Sequence, residues 1–199
     1  MYNSLNKKMI TNGCSLSQRE EKSVILTFDD GPSKYLEDFL DVLASEQIEA
    51  MFFFQTRLLH HKRPWNRLLE EGHVIGAHTH RHPNLSTLQA IDQRREIETS
   101  KHQIEKITGQ TVKYFRPPFG QFNEETLNVL SDLQLEMVMW DVASFDWLFK
   151  GEALRIIDMV KKRVRNGSIV LLHELEQTLR ILPLLIKELK EEGYSFKVL

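Results

Sequence analysis

From Val24 onward, short apolar runs rich in β-branched and aromatic residues alternate with longer amphipathic stretches, and this alternation restricts the fold more than any other feature. The strand candidates are Val24 to Phe28, Ala50 to Phe54, His73 to Ala77, Lys113 to Phe115, Glu136 to Trp140, Ser168 to Leu172 and Tyr194 to Val198. Helical candidates occupy about 35–47, 64–71, 87–108, 124–133, 151–165 and 177–192. Two of them show a buried stripe that ends at a glycine suited to a helix C-terminus: Ile97, Ile104 and Ile107 before Gly109, and Leu182, Leu185, Ile186 and Leu189 before Gly193. A helix between successive strands returns the chain for parallel pairing. The expectation is therefore an α/β domain, a (β/α) barrel of about seven parallel strands that need not be complete, with a doubly wound open sheet as the alternative.

The 199 residues suit one domain, with residues 1–22, polar and aperiodic, as an irregular lead-in and residues 23–199 as the folded unit. Basic residues number 26 against 28 acidic, dispersed along the chain, which argues against a nucleic-acid partner or an anionic membrane surface. A single cysteine, Cys14, excludes an intrachain disulfide and a cysteine-rich zinc site, and is expected to be a buried small side chain or a bystander. Any metal must then be held by His, Asp or Glu. Lys7 and Lys8 are followed by no apolar segment of the secretory kind, and no run approaches the ~18 apolar residues of a spanning helix, so no membrane insertion is expected and the default compartment is the cytoplasm.

The polar residues of interest fall at the C-terminal ends of the strand candidates, the face on which (β/α) barrels build their sites. Asp29 and Asp30 follow the first strand and are turned by Gly31-Pro32, which can bring both carboxylates to one rim, one to hold a cation and one to take a proton. His78, His80 and His82 follow the third. The spacing of four lets His78 and His82 face one cation if the segment makes a helical turn, whereas an extended segment would pair His80 with one of the others. With Asp30, two histidines and a carboxylate have the composition of a catalytic zinc site, and cobalt, manganese or nickel suit the same donors. Arg116, in Arg116-Pro117-Pro118-Phe119-Gly120, could orient a buried carboxylate and keep it ionised. Asp146, beside Trp147, and His173, after Leu171-Leu172, make sense as a pair in which the carboxylate aims the imidazole.

Taken together, Thr27 to Pro32 (TFDDGP), His78 to Pro83 (HTHRHP), Arg116 to Gly120 (RPPFG), Asp146-Trp147 (DW) and Leu171 to His173 (LLH) resemble, in order, the motifs of the polysaccharide deacetylase family, also called carbohydrate esterase family 4 or the NodB homology domain. The resemblance runs from about residue 23 to the C-terminus. It implies a distorted (β/α) barrel that removes N-acetyl or O-acetyl groups from sugar polymers, with N-acetylated glycans as substrate. It further implies Asp29 as general base, Asp30, His78 and His82 as ligands of a divalent metal, zinc foremost, and Arg116 as the partner of Asp29. His173 would be the general acid oriented by Asp146. Trp147 and Leu171 would shape the acetyl pocket, and a backbone N–H near Phe119 would face the oxyanion. Alternatives within the family are an acetyl-xylan-type O-acetyl esterase and a catalytically silent sugar-binding member. Ala143 stands where many members carry aspartate, a departure that bears on which glycan is taken.

Overall fold

The computed structural model describes residues 9–13 and 21–199; Cys14 lies outside the described residues. The strands are β1 (Met9–Ile10), β2 (Ser23–Asp29), β3 (Met51–Phe54), β4 (Val74–Ala77), β5 (Tyr114–Phe115), β6 (Glu136–Val138), β7 (Val142–Ala143), β8 (Ser168–His173) and β9 (Ser195–Phe196). The helices are α1 (Leu36–Ser45), α2 (Trp65–Glu70), α3 (Ala90–Thr108), α4 (Glu124–Asp132), α5 (Ala153–Lys161) and α6 (Glu176–Glu191). Every strand pair is parallel, in the order β1-β6-β5-β4-β3-β2-β8-β7, with β9 pairing the start of β2. The expected seven-stranded frame is present; β2 and β8 run past their expected ends, and the other five strands are shorter than expected. β1 and β7 are additions.

Period-2 alternation along the strands sorts the core into two layers. Val24, Leu26, Phe28, Phe52, Phe54, Val170 and Leu172 point outward under the helices, packing with Leu40, Ile156 and Leu185 among others. Ile25, Met51, Phe53, Val138 and Ile169 point inward and fill the barrel. Because Thr27 and Asp29 share the face of Ile25, β2 carries its polar residues into the barrel axis rather than to solvent, and all seven of its residues are buried. This double burial is why the strand reads as a nearly continuous apolar run.

The barrel is distorted and incomplete because one segment changes partner: residues 136–138 pair with β5, and 142–143 pair with β8. Asp141 sits at that switch, where its carboxylate accepts from the Ile169 N–H (2.8 Å) and the Ser168 hydroxyl (3.0 Å). The lead-in is not wholly irregular, contrary to expectation. Met9 and Ile10 pair with Met137 and Val138, Asn12 bridges Ser168, and the Gly13 N–H donates to the Gly167 carbonyl at 2.7 Å. A two-residue strand has no periodicity to detect; the open edge of β6 makes it a strand. The same reason hides β7. Gly109 takes the left-handed conformation (φ 71°) at the end of α3, as its position predicts. No helix among the described residues is long and apolar enough to cross a membrane.

Candidate active site

Inside the barrel, above Ile25 and Met51, lies Arg116, fully buried against the faces of Phe53 (4.2 Å to the centroid) and Trp140 (5.5 Å). Its Nη1 donates to Asp29 Oδ1 and Thr27 Oγ1, each at 2.7 Å, its Nε to the Val138 carbonyl (3.0 Å) and its Nη2 to the Met139 carbonyl (2.9 Å). A buried guanidinium and carboxylate are tolerable only with such complete pairing. Asp29 is consequently held by one oxygen. The other, Oδ2, faces His78 Nε2 at 3.9 Å.

One residue on, the chain turns. Asp30 is left-handed (φ 69°), and a side chain on Gly31 would put its Cβ 1.7 Å from Glu174 Oε1 and 2.9 Å from Phe54 Cε1, so only glycine fits. The turn brings Asp30 Oδ1 to 3.0 Å from His82 Nε2 and 3.5 Å from His78 Nε2. Burial pushes the Asp30 carboxyl up, yet hydrogen bonds and charge from His78 and His82 outweigh this and hold it well below the usual range. His78 Nδ1 lies 2.7 Å from the Arg116 carbonyl, an acceptor only, so Nδ1 carries a proton and Nε2 is the nitrogen turned towards Asp30 and available to a cation.

The histidine segment is neither the helical turn nor the extended strand considered from its spacing. Thr79 (φ 64°) and His82 (φ 63°) are left-handed, and the His82 N–H donates to Thr79 Oγ1 at 2.9 Å, which folds the segment back and sets the rings of His78 and His82 4.9 Å apart. His80 points elsewhere, its Nδ1 3.0 Å from Thr56 Oγ1. Among the described residues, Asp30, His78 and His82 are the group of three whose donor atoms converge, within 4.8 Å of one another. Tetrahedral zinc with bonds of about 2.0–2.2 Å separates neighbouring ligand atoms by about 3.3 Å, so the carboxylate-to-imidazole spacings fit a cation of that kind.

On the far side of the cleft, β8 runs beside β2 with His173 opposite Asp29. His173 Nδ1 is 2.7 Å from Asp146 Oδ1, the His173 N–H donates to Asp146 Oδ2 (2.7 Å), and the Thr178 hydroxyl donates to the same oxygen (2.6 Å). Burial alone would lower the His173 pKa; the hydrogen bond and charge of the fully buried Asp146 outweigh it and raise the pKa above the ordinary imidazole value. Its free Nε2 lies 3.9 Å from Asp30 Oδ2. The Trp147 ring meets His173 edge-on at 5.0 Å and Phe119 meets His82 at 4.6 Å, so two aromatic side chains flank the opening.

The ten residues given a role by the resemblance thus meet at one place, His80 standing apart, and eight of them line a cleft of about 480 Å³. Arg116 and Asp146 stand behind it, holding Asp29 and His173. A family profile described as Polysaccharide deacetylase matches residues 17–138. The chain belongs to the polysaccharide deacetylase family. It is 34% identical over 189 residues to peptidoglycan-N-acetylmuramic acid deacetylase PdaA of Bacillus subtilis, covering 92% of this chain and 72% of that protein. It is 32% identical over 192 residues to a chitooligosaccharide deacetylase of Bradyrhizobium, covering 87% of each. It spans about half the length of another relative, the B. subtilis protein YlxY (51%).

Among solved structures, the Bc1960 peptidoglycan N-acetylglucosamine deacetylase superposes with a TM-score of 0.86 at 31% identity, covering 96% of this chain and 91% of that one. Wild-type BA3943 of Bacillus anthracis, a CE4 family pseudoenzyme, superposes with a TM-score of 0.83 at 29% identity, covering 94% and 66%. The family therefore includes both enzymes and a pseudoenzyme.

Several cleft or supporting residues escape the sequence reading. Trp140 and Leu175 line the cleft, and Gln55 donates to Asp30 Oδ1 at 2.8 Å. Gln55 follows β3, so its strand-end address is an available signal. Trp140 falls within a strand candidate, and the loop placement of Leu175 has no sequence mark.

Proposed function

We propose that this chain hydrolyses the N-acetyl group of amino-sugar glycans, the chemistry of its named relatives, and releases acetate and a free amine. One observation carries the proposal: two proton-transfer groups with opposite support face one cleft, Asp29 with Arg116 behind it and His173 with Asp146 behind it. Asp30, His78 and His82 would hold a divalent cation, zinc foremost, with cobalt, manganese or nickel suited to the same donors. Such a cation would supply Lewis acidity towards water and the acetyl carbonyl.

The chain's own residues do the rest. Asp29 Oδ2 takes a proton as water attacks the acetyl carbon, and Arg116, bonded to Oδ1, keeps that carboxylate aimed. Negative charge then gathers on the former carbonyl oxygen, where a backbone N–H of the left-handed turn at Phe119 (φ 58°) stabilises it. His173 delivers its Nε2 proton to the amide nitrogen, the C–N bond breaks, and acetate and the amine depart. Leu171 and Trp147 receive the methyl group. Trp147 and Phe119, exposed at the rim, offer apolar faces to sugar rings on either side.

A glycan-binding role without turnover is the second reading, favoured by the structural likeness to BA3943. Binding alone requires neither a carboxylate braced by Arg116 nor a histidine braced by Asp146. The test is free-acetate release from chitooligosaccharides, peptidoglycan and acetylated xylan. Chelation should abolish release, zinc or cobalt should restore it, and His78→Ala and His82→Ala should lose metal and activity together while His80→Ala keeps both. Retention on glycan with no acetate from any substrate would establish the binding role, and preference for xylan would make it an O-acetyl esterase. Full activity in protein shown metal-free by elemental analysis would overturn the cation.

A further inference from the structure

Gln55, buried at the end of β3, makes two separate bonds to the turn that carries Asp30. Its backbone N–H donates to the Gly31 carbonyl at 2.8 Å, and its Nε2 donates to Asp30 Oδ1 at 2.8 Å. The amide orientation is set from behind, because Arg57 Nε donates to Gln55 Oε1 at 3.1 Å and a guanidinium can only donate. The two residues after Gln55 hold the other ligand loop: the Thr56 N–H reaches the Thr79 carbonyl and the Arg57 N–H the His80 carbonyl, each at 3.1 Å, between His78 and His82 in sequence. Residues 55–57 therefore tie together the two loops that bring Asp30, His78 and His82 to one point.

We infer that Gln55, braced by Arg57, is a positioning residue that holds the Asp30 carboxylate towards His78 and His82 and thereby sets the affinity for the cation. The inference rests on the metal site proposed above. Asp30 is the most exposed of the three, with 40% of its side chain accessible, so its carboxylate has the freedom to turn that the buried His78 lacks. A neutral amide suits this task. It occupies one lone pair of Oδ1 and leaves the negative charge for the cation, whereas a cationic donor would offset that charge. Gln55 does not line the cleft, so its effect should be felt in metal affinity and not in contact with the glycan.

The experiment measures zinc dissociation constants by competition with a chromogenic chelator for wild type, Gln55→Met, Gln55→Ala, Arg57→Ala and the Gln55→Met/Arg57→Ala double variant. Thermal unfolding of each metal-free protein runs in parallel. Gln55→Met keeps the volume and removes both hydrogen bonds of the side-chain amide; it and Gln55→Ala alike keep the backbone bond to Gly31. Both should bind zinc about 10–100-fold more weakly, the usual cost of losing an outer partner of a ligand. Arg57→Ala should lose less, in the same direction, and the double variant should match Gln55→Met, since Arg57 acts through Gln55. Zinc affinity of Gln55→Met within about twofold of wild type would overturn the inference while leaving the metal site standing. An unchanged Arg57→Ala beside a weakened Gln55→Met would overturn the bracing role of Arg57. Wild-type protein that binds no zinc would overturn the metal reading and this inference with it.

Discussion

Asp29 and Asp30 are adjacent in sequence and opposite in circumstance: Asp29 lies almost wholly buried against Arg116, and Asp30 looks across the cleft at His82 and His173. The division predicts that Asp29→Asn removes the base but leaves metal bound, with kcat/KM down by at least the ~10²–10⁴-fold that general-base removal costs. Elemental analysis and steady-state assays on one preparation check both parts; near-wild-type turnover would show that Asp29 is not the base. His173 yields a second prediction. Its pKa is raised, so the protonated acid persists above pH 6.5, and kcat should fall only as pH rises through the higher value. In Asp146→Asn the cause of the rise is gone, and the alkaline limb should move to lower pH. His173→Ala should depress N-acetyl hydrolysis far more than hydrolysis of an aryl acetate, whose leaving group departs without an acid. The double variant should be little worse than His173→Ala alone, because the pair acts as a unit. Equal losses on both substrates would assign His173 to structure instead.

At the scale of elements, the turn after β2 is seated on the start of the β8–α6 junction. Glu174, 4% exposed, accepts from the Ser33 N–H at 2.8 Å through Oε2, while its Oε1 is buried beneath Gly31 with no hydrogen-bond partner. Burial pushes the carboxyl up to about 7 from an ordinary 4.5. The folded state then binds more protons than the unfolded chain between those values. Stability from this group is present in full below about pH 4.5 and declines as pH rises to about 7, by up to roughly 3 kcal/mol. Glu174→Gln, which cannot ionise, should raise the Tm of the metal-free protein at pH 8 and leave it nearly unchanged at pH 4.5; the same Tm difference at both pH values would count against a protonated Glu174. The histidine segment teaches a related lesson. A spacing of four suggests a helical turn, but left-handed Thr79 and His82 bring the rings together another way, and their conformation depends on the Thr79 hydroxyl and the neighbouring 55–57 segment rather than on local propensity.

Across the whole molecule, the barrel depends on the change of partner between β6 and β7, and Asp141 secures it by accepting from Ile169, Ser168, Arg165 and Asn12. Asp141→Ala leaves the buried Ile169 N–H without that acceptor and should cost about 1–3 kcal/mol of stability. Denaturant unfolding should show a lower midpoint with an unchanged slope, and zinc affinity should stay as in wild type, since the switch lies away from the ligands. A loss of zinc binding in folded Asp141→Ala protein would mean that the seam and the site are coupled.

By itself the sequence determined the parallel α/β frame, because a strand buried on both faces and a helix buried on one leave different periods in the chain. It also determined the strand-end address of Asp29, Asp30, His78, His82, Arg116 and His173, since the pattern that ends a strand also locates the residues just beyond it. Tertiary structure alone decided the rest. β1 and β7 exist only because β6 and β8 offer them partners. Asp29 faces Arg116 while Asp30 faces the histidines only because Asp30 turns left-handed over a glycine packed on Glu174, and Gln55 reaches Asp30 only because β3 lies beside β2. Those features are set by contacts between segments distant along the chain, and no local pattern of residue types encodes which distant segment will arrive.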